Sequence, residues 1–227
     1  MSRLSKRMKE VNRIVEGIKN PLSLADAIAQ LSKAPKVKFD ETVELHFNLN
    51  VDLKSADQGI RGTVILPHGS GKKVKVAVFC KGDAIAKAEA AGADYVGSND
   101  LIDKVAGGFM DFDIVVATPD MMRDISKLGK VLGPRGLMPT PKAGTVTTDV
   151  ERTIKEVKAG RVEFKSDKQG GIHLGIGKKS FNEAKLVENA QQVIEAVNHA
   201  KPNSVKGNLI KSLSVATTMG PGVKVVI

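Results

Sequence analysis

Two hydrophobic periods alternate along this chain. A period near 3.6 opens it: Leu4, Met8, Val11, Val15 and Ile18 recur at spacings of three and four. That predicts an amphipathic helix with Lys6, Arg7, Lys9 and Arg13 on its polar side. Asn20-Pro21 stops it, and Ser23 with Asp26 three residues on predicts the capped start of a second helix over Leu24–Lys33. The period then falls to two. Val43, Leu45, Phe47, Leu49 and Val51 alternate with Glu44, His46, Asn48 and Asn50, the pattern of a strand with one wet face over Thr42–Val51. Ile60–Leu66 predicts another strand. Pro67-His68-Gly69-Ser70-Gly71 follows as the clearest linker in the chain.

The middle has a different rhythm. Val74–Cys80 is almost wholly apolar, as a strand buried on both faces would be. A short Ala-rich helix over Asp83–Ala91 is closed by Gly92. A strand at Asp94–Val96, a helix at Ser98–Ala106 and a buried strand at Asp113–Ala117 follow. Pro119 begins a helix in its favoured first position with Thr118 as cap, and Asp149 caps a helix over Val150–Ala159 that Gly160 ends. Strands alternating with helices predict a small parallel sheet covered on both sides.

The last third returns to antiparallel grammar. Val162 and Phe164 alternate with Arg161, Glu163 and Lys165; Ile172, Leu174 and Ile176 alternate with His173, Gly175 and Gly177. Phe181–Asn198 predicts an amphipathic helix with Phe181, Ala184, Val187, Ala190, Ile194 and Val197 inward. Strands at Leu213–Met219 and Val223–Ile227 flank Gly220-Pro221-Gly222. Neither end alone supplies enough elements to bury a core, whereas the middle does. The economical arrangement is α/β and α+β in two domains. A discontinuous α+β domain, 1–67 plus 161–227, has an antiparallel sheet built from both termini. A Rossmann-like three-layer α/β domain, 68–160, is inserted in it. The crossings at Pro67, Gly69, Gly71, Ala159 and Gly160 suit a hinge as well as a rigid joint.

Composition narrows the function. With 227 residues, 41% hydrophobic and 26% charged, the chain is an ordinary globular mixture and wholesale disorder is excluded. Its longest run without charge, Ser212–Val223, is too short to span a membrane, and the first twenty residues lack the apolar core of a signal peptide. Cys80 alone allows neither an internal disulfide nor a cysteine-built metal site, and points to a reducing compartment. The net charge is +10, of which the terminal segments 1–67 and 161–227 hold +3 and +5. Such a balance points to a polyanionic partner.

No catalytic signature accompanies it. His46, His68, His173 and His199 are not spaced as a metal pair on a helix, and no Gly-x-Ser-x-Gly elbow is present. Gly69-Ser70-Gly71-Lys72-Lys73 fails the eight-residue phosphate-loop pattern, and Lys81-Gly82-Asp83 lacks the glycines of a dinucleotide turn. The expectation is no enzyme, no cofactor and no metal. A wet sheet face of Glu44, His46, Arg161, Glu163, Lys165 and His173 is expected, with Phe47 and Phe164 at apolar parity, so a stacking platform for bases is absent. RNA contacts would come from strand ends: Lys38-Phe39-Asp40, and Thr217-Thr218-Met219-Gly220-Pro221-Gly222, where Thr218 points outward and Thr217 to the apolar side. A core plug at Phe39 and an ordinary tight turn at 217–222 are the structural alternatives.

Several stretches occur in a telling order: Lys38–Glu44, Arg61–Val64 with Leu66–Gly69, Gly92–Gly97, Met110–Asp113, Leu132–Pro139 with Pro141-Lys142, and Thr217–Pro221. Together they closely resemble the bacterial ribosomal protein L-one family, the protein of the mobile large-subunit stalk beside the tRNA exit site. The resemblance covers essentially the whole chain, and Gly133–Lys142 is its most specific part. It implies a monomer when free and part of the ribosome when bound. It implies large-subunit (23S) rRNA, exit-site tRNA and the messenger of its own operon as partners, with movement and release of deacylated tRNA and translational repression as roles. The rRNA site it implies includes Phe39, Thr42, Glu44, Asp167, Lys168, Ser212, Thr218, Met219 and Gly220; Lys38 is added on charge. Arg123, Lys127, Lys130, Arg135 and Lys142 form a second basic cluster that could touch tRNA or rRNA. Two other classes compete: a nucleotide-dependent enzyme, stabilised by ATP or a dinucleotide, and an interaction protein indifferent to RNA.

Overall fold

A computed structural model of the protein describes residues 5–17, 21–35, 37–51, 59–202, 204–205 and 207–226. Leu4, Ile18, Asn20, Lys36, Ile227 and the side chain of Val15 lie outside the described residues. The chain divides into two compact units, Met1–Gly71 with Val162–Ile227, and Lys72–Arg161. In chain order the elements are α1 (Lys6–Glu16), α2 (Leu24–Ser32), β1 (Thr42–Leu49) and β2 (Arg61–Ile65). Next come β3 (Val76–Phe79), α3 (Asp83–Ala90), β4 (Tyr95–Gly97), α4 (Asn99–Ala106), β5 (Ile114–Ala117), α5 (Met122–Ile125), α6 (Gly129–Leu132) and α7 (Val150–Ala159). β6 (Arg161–Lys165), β7 (Gly171–Lys178), α8 (Glu183–His199), β8 (Ile210–Thr217) and β9 (Gly222–Val225) close the chain.

In the unit built from both ends, four strands form an antiparallel sheet in the order β7-β1-β8-β9. The alternation along β1 is strict: Val43, Leu45, Phe47 and Leu49 are buried. They pack with Ala27, Ile28 and Leu31 of α2 and Leu186, Ala190, Val193 and Val197 of α8. Both helices therefore cover one face and leave the other open. Ser23 starts α2 as expected, its hydroxyl accepting from the Asp26 N–H at 3.2 Å and donating to the Asp26 carboxylate at 2.6 Å.

Two expectations are corrected here. Of the residues expected inward on α8, Ala190 and Val197 are buried and Phe181, Val187 and Ile194 pack against the core, but Ala184 is exposed; Leu186, Asn189 and Val193 are buried as well, and Phe181 precedes the helix, which Asn182 caps. One residue of the buried stripe is polar. Asn189, fully buried, accepts from the His68 N–H at 3.1 Å and donates to the carbonyls of Gly69 at 3.1 Å and Ile176 at 2.7 Å. It satisfies the backbone of the segment leaving β2. Asn189→Ala strands those groups and is expected to lower unfolding free energy by about 2 kcal/mol in urea denaturation; a cost near zero would mean the segment resolvates freely. The second correction concerns β6. Arg161, Glu163 and Lys165 do not share a sheet with β1: β6 pairs with β2 as a separate two-stranded ribbon. Arg61 and Glu163 are ion-paired there, and Arg161 donates to Glu156 at 3.0 Å and to the Ala143 carbonyl at 3.1 Å.

In the unit of 72–161, β4-β3-β5 form a parallel sheet. Every residue of β3 is buried. Val76, Val78 and Cys80 face Ala88 of α3 and Val150, Ile154 and Val157 of α7. Ala77 and Phe79 face Leu101, Ile102 and Val105 of α4 and Met121, Ile125, Leu128 and Leu132 on the opposite side. Helices on both faces explain the unbroken apolar run. The helix expected from Pro119 is broken into short 3₁₀ and α pieces between 119 and 132, and Thr118 makes no side-chain cap bond. Its buried residues still recur every three or four positions, so the apolar stripe survives while the backbone ladder changes pitch. Asp149 caps α7 through the Arg152 N–H at 3.3 Å, and Gly160 ends it at φ 112°, a conformation that favours glycine.

Candidate nucleic-acid interface

The open face of the four-stranded sheet is built by parity. If Leu45 and Phe47 point into the core, Thr42, Glu44, His46 and Asn48 point out. Register then places Ala216, Ser214 and Ser212 of β8 beside Glu44, His46 and Asn48. On the other side stand Gly175, His173 and Gly171 of β7. Most of these side chains are small, so a ligand can approach the backbone closely. No Phe, Tyr or Trp belongs to this set, as the period-two reading requires.

The expected rRNA residues gather at the two ends of this face, about 20 Å apart along β1. At the β1 start, the Thr218 N–H donates to the Thr42 carbonyl at 3.1 Å, bringing the turn Thr218–Pro221 beside Thr42. The Thr218 hydroxyl accepts from the Thr42 N–H at 3.0 Å, so part of its capacity already closes the turn. Lys178 donates to the Thr42 hydroxyl at 2.9 Å. Phe39 is 54% exposed and Met219 48%, with Lys38 exposed beside Phe39. Phe39 is no core plug. Gly220 has a reason internal to the protein: a Cβ there would stand 2.1 Å from the Thr217 hydroxyl oxygen.

At the far end, Ser212 pairs with Asn48, and Asp167 and Lys168 occupy the turn from β6 to β7. Asp167 Oδ1 accepts from the Gln169 and Gly171 N–H groups, both at 2.7 Å. Those two N–H groups, Gly171 first, hold its carboxyl below its usual range, with His173 helping. Its first role is to shape the turn.

What sequence reasoning missed is the anchor behind the first end. Glu41 is 2% exposed. Its Oε1 accepts from the Thr217 hydroxyl at 3.2 Å and the Met219 N–H at 3.0 Å; its Oε2 pairs with Lys179 at 3.2 Å. Lys179 also donates to the Ala34 carbonyl at 2.9 Å. Only parity could have flagged it, since Glu41 falls on the buried side of the strand that follows. Arg7 of α1 also reaches the turn, donating to the Met219 carbonyl at 2.8 Å.

The second cluster lies in the unit of 72–161. Arg123, Lys127, Lys130, Arg135 and Lys142 are all exposed. Lys127 is paired with Asp124 at 3.2 Å, and Lys127 beside that carboxyl holds its pKa down. The unit of both ends carries 20 basic against 13 acidic residues, the unit of 72–161 carries 15 against 12. Among the described residues no group of His, Cys, Asp or Glu is placed to hold a metal ion, and no helix is long and apolar enough to cross a membrane.

Comparison with known proteins adds identity to this geometry. Residues 31–221 match the model of the Ribosomal protein L1p/L10e family. The large ribosomal subunit protein uL1 of Protochlamydia amoebophila is 54% identical over 225 residues, covering 99% of this chain and 95% of that protein. The protein of the same name from Thermosipho africanus is 53% identical over 226 residues, covering 99% and 97%, and that of Kosmotoga olearia 51% over 224, covering 99% and 96%. A match across nearly the whole length of each partner leaves no room for a different family: the chain belongs to the ribosomal protein L1p/L10e family, whose members are structural rather than enzymatic.

Proposed function

We propose that this chain is a structural constituent of the large ribosomal subunit, resident on the ribosome in the cytoplasm, and that it binds a folded segment of 23S rRNA through the open face of its four-stranded sheet. In this reading the bound protein forms the mobile stalk and assists movement and release of deacylated tRNA from the exit site. The same face binds the messenger of its own operon and represses translation. The free protein is a monomer. The unit of 1–67 plus 161–227 is the RNA-binding domain, the inserted unit contributes Arg123, Lys127, Lys130, Arg135 and Lys142 to secondary contacts, and the two crossings act as a hinge.

One observation supports this beyond family membership. Thr42, Glu44 and Ser212 lie on one open face of mostly small and polar side chains, and the turns holding 167–168 and 218–220 adjoin its two ends. With no aromatic platform, such a face reads RNA by backbone, ribose hydroxyl and shape. Glu44 then accepts from 2′-hydroxyls or base amino groups instead of meeting phosphate.

The test divides the chain. Residues 1–71 joined to 162–227 by a short Gly-Ser linker are expected to retain most of the affinity of the full chain for a 23S rRNA transcript in filter binding. Residues 72–161 alone are expected to bind more than tenfold more weakly, since they hold the smaller charge excess and none of the converging residues. Equal affinity of the two pieces would overturn the site assignment.

A further inference from the structure

This inference rests on the RNA-binding reading and concerns the middle of the same face. His46 of β1 and His173 of β7 are directly opposite in register. Their Nδ1 atoms stand 2.8 Å apart, with the ring planes tilted by 56°. At that distance one nitrogen must carry a proton and donate it to the other. Outside each ring lies a carboxylate: Glu44 Oε2 is 3.8 Å from His46 Nε2, and Asp167 Oδ2 is 3.5 Å from His173 Nε2. The four residues form a row across the sheet and its adjoining turn.

Proton counting shows what the row lacks. Two neutral imidazoles carry two N–H groups. One is used between the rings, which leaves one for two carboxylates, so one carboxylate always faces a lone pair. A third proton completes the row: Glu44, then the two N–H groups of a charged His46, then His173 accepting at Nδ1 and donating from Nε2 to Asp167. The net charge of the row falls from −2 to −1. On β8 the neighbours are Ser212, Ser214 and Ala216; Lys224 of β9 is opposite Ser214, Lys168 follows Asp167, and Lys178 lies at the Thr42 end of β7. In the free protein burial, then His173, pushes the His46 pKa below its ordinary 6.5, with Glu44 opposing. Burial and the neighbouring ring thus disfavour a charge on His46 in the free row. RNA phosphate brought against it favours the charged form.

We propose that His46 and His173 are RNA-contacting residues of this site and that the pair takes up one proton when RNA binds. The uptake converts an acidic stretch of the face into one that tolerates a phosphate backbone.

The sign follows from linkage. Because the bound state holds the proton more tightly, affinity is greatest at low pH and falls as pH rises between the free and bound titration points. The fall is at most about tenfold per pH unit for one proton. The experiment measures binding of the full chain to a 23S rRNA transcript from pH 6 to 8 at constant ionic strength. Calorimetry in two buffers of different ionisation heat counts the protons. We expect uptake approaching one proton and a matching slope, which the double variant His46→Gln, His173→Gln flattens while its melting temperature stays within a few degrees of the parent. A flat parent profile, or a slope that persists in the double variant, would overturn the proposal. Should the double variant melt without cooperativity, the parent proton count alone decides. Failure to bind RNA at any pH would instead remove the RNA-binding reading itself, and this inference with it.

Discussion

Glu41→Leu is expected to lower the unfolding free energy of the unit built from both ends by about 3–5 kcal/mol, the usual cost of removing one partner of a buried ion pair. The residue is 2% exposed and its partner Lys179 is 13% exposed at the side chain, so neither charge can turn to bulk water without moving the loop. Leucine leaves the Lys179 ammonium with the Ala34 carbonyl and no anion. It also leaves the Thr217 hydroxyl and the Met219 N–H without their acceptor. Glu41→Gln should fall between, at about 1–3 kcal/mol, since the amide oxygen can still accept from one of those donors. Urea denaturation followed by circular dichroism measures both. A loss under about 1 kcal/mol for leucine would mean that Lys179 escapes to solvent and that the carboxylate anchors nothing.

Gly220→Ala tests the same corner from the other side. The added Cβ would stand 2.1 Å from the Thr217 hydroxyl oxygen, far inside contact distance. Thr217 is β-branched and its hydroxyl is bonded to Glu41, so it can yield only by breaking that bond, or the turn must shift. Either response moves Thr218 and Met219 away from Thr42. Misplacing one hydrogen-bonding group at an RNA interface costs about 1–3 kcal/mol, so affinity for a 23S rRNA transcript should drop roughly ten- to a hundred-fold. Melting should change far less than in Glu41→Leu. Unchanged RNA affinity in Gly220→Ala would return this turn to a purely structural role.

Most elements of this fold were legible from a helical or strand period or from an unbroken apolar run. Thr42–Leu49 keeps strict alternation, and Val76–Phe79 is apolar throughout because helices flank it on both sides. Where reading failed, a long-range contact outweighed local pattern. Asn189 looks like a solvent-facing residue until the carbonyls of Gly69 and Ile176 are placed around it. Arg161, Glu163 and Lys165 alternate like the strands of the main sheet, but alternation says nothing about which strand is the neighbour, and β6 chose β2. For the site, Thr218 was legible as an outward residue at a strand end. Its hydrogen bond to Thr42 was not, since it joins residues 176 apart. The same holds for the Thr217–Glu41 bond and for the histidine pair, which sequence places on one wet face without fixing the register that sets them opposite each other.

The strand order β7-β1-β8-β9 also governs the sequence of events during synthesis. β1 leaves the ribosome with neither neighbour yet made, since His46 waits for residues 173 and 214. The parallel sheet has no such delay: β3, β4 and β5 all lie between 76 and 117. The inserted unit can thus close while the first sixty residues are still unpaired, and the sheet that surrounds it in sequence assembles last, slowed by the loop closure its distant pairings demand. A growing polypeptide therefore lacks the open sheet face altogether. If the messenger of its own operon is a ligand, a nascent copy is blind to the transcript it is being read from until β8 and β9 have emerged, and only finished molecules can report on how many have been made.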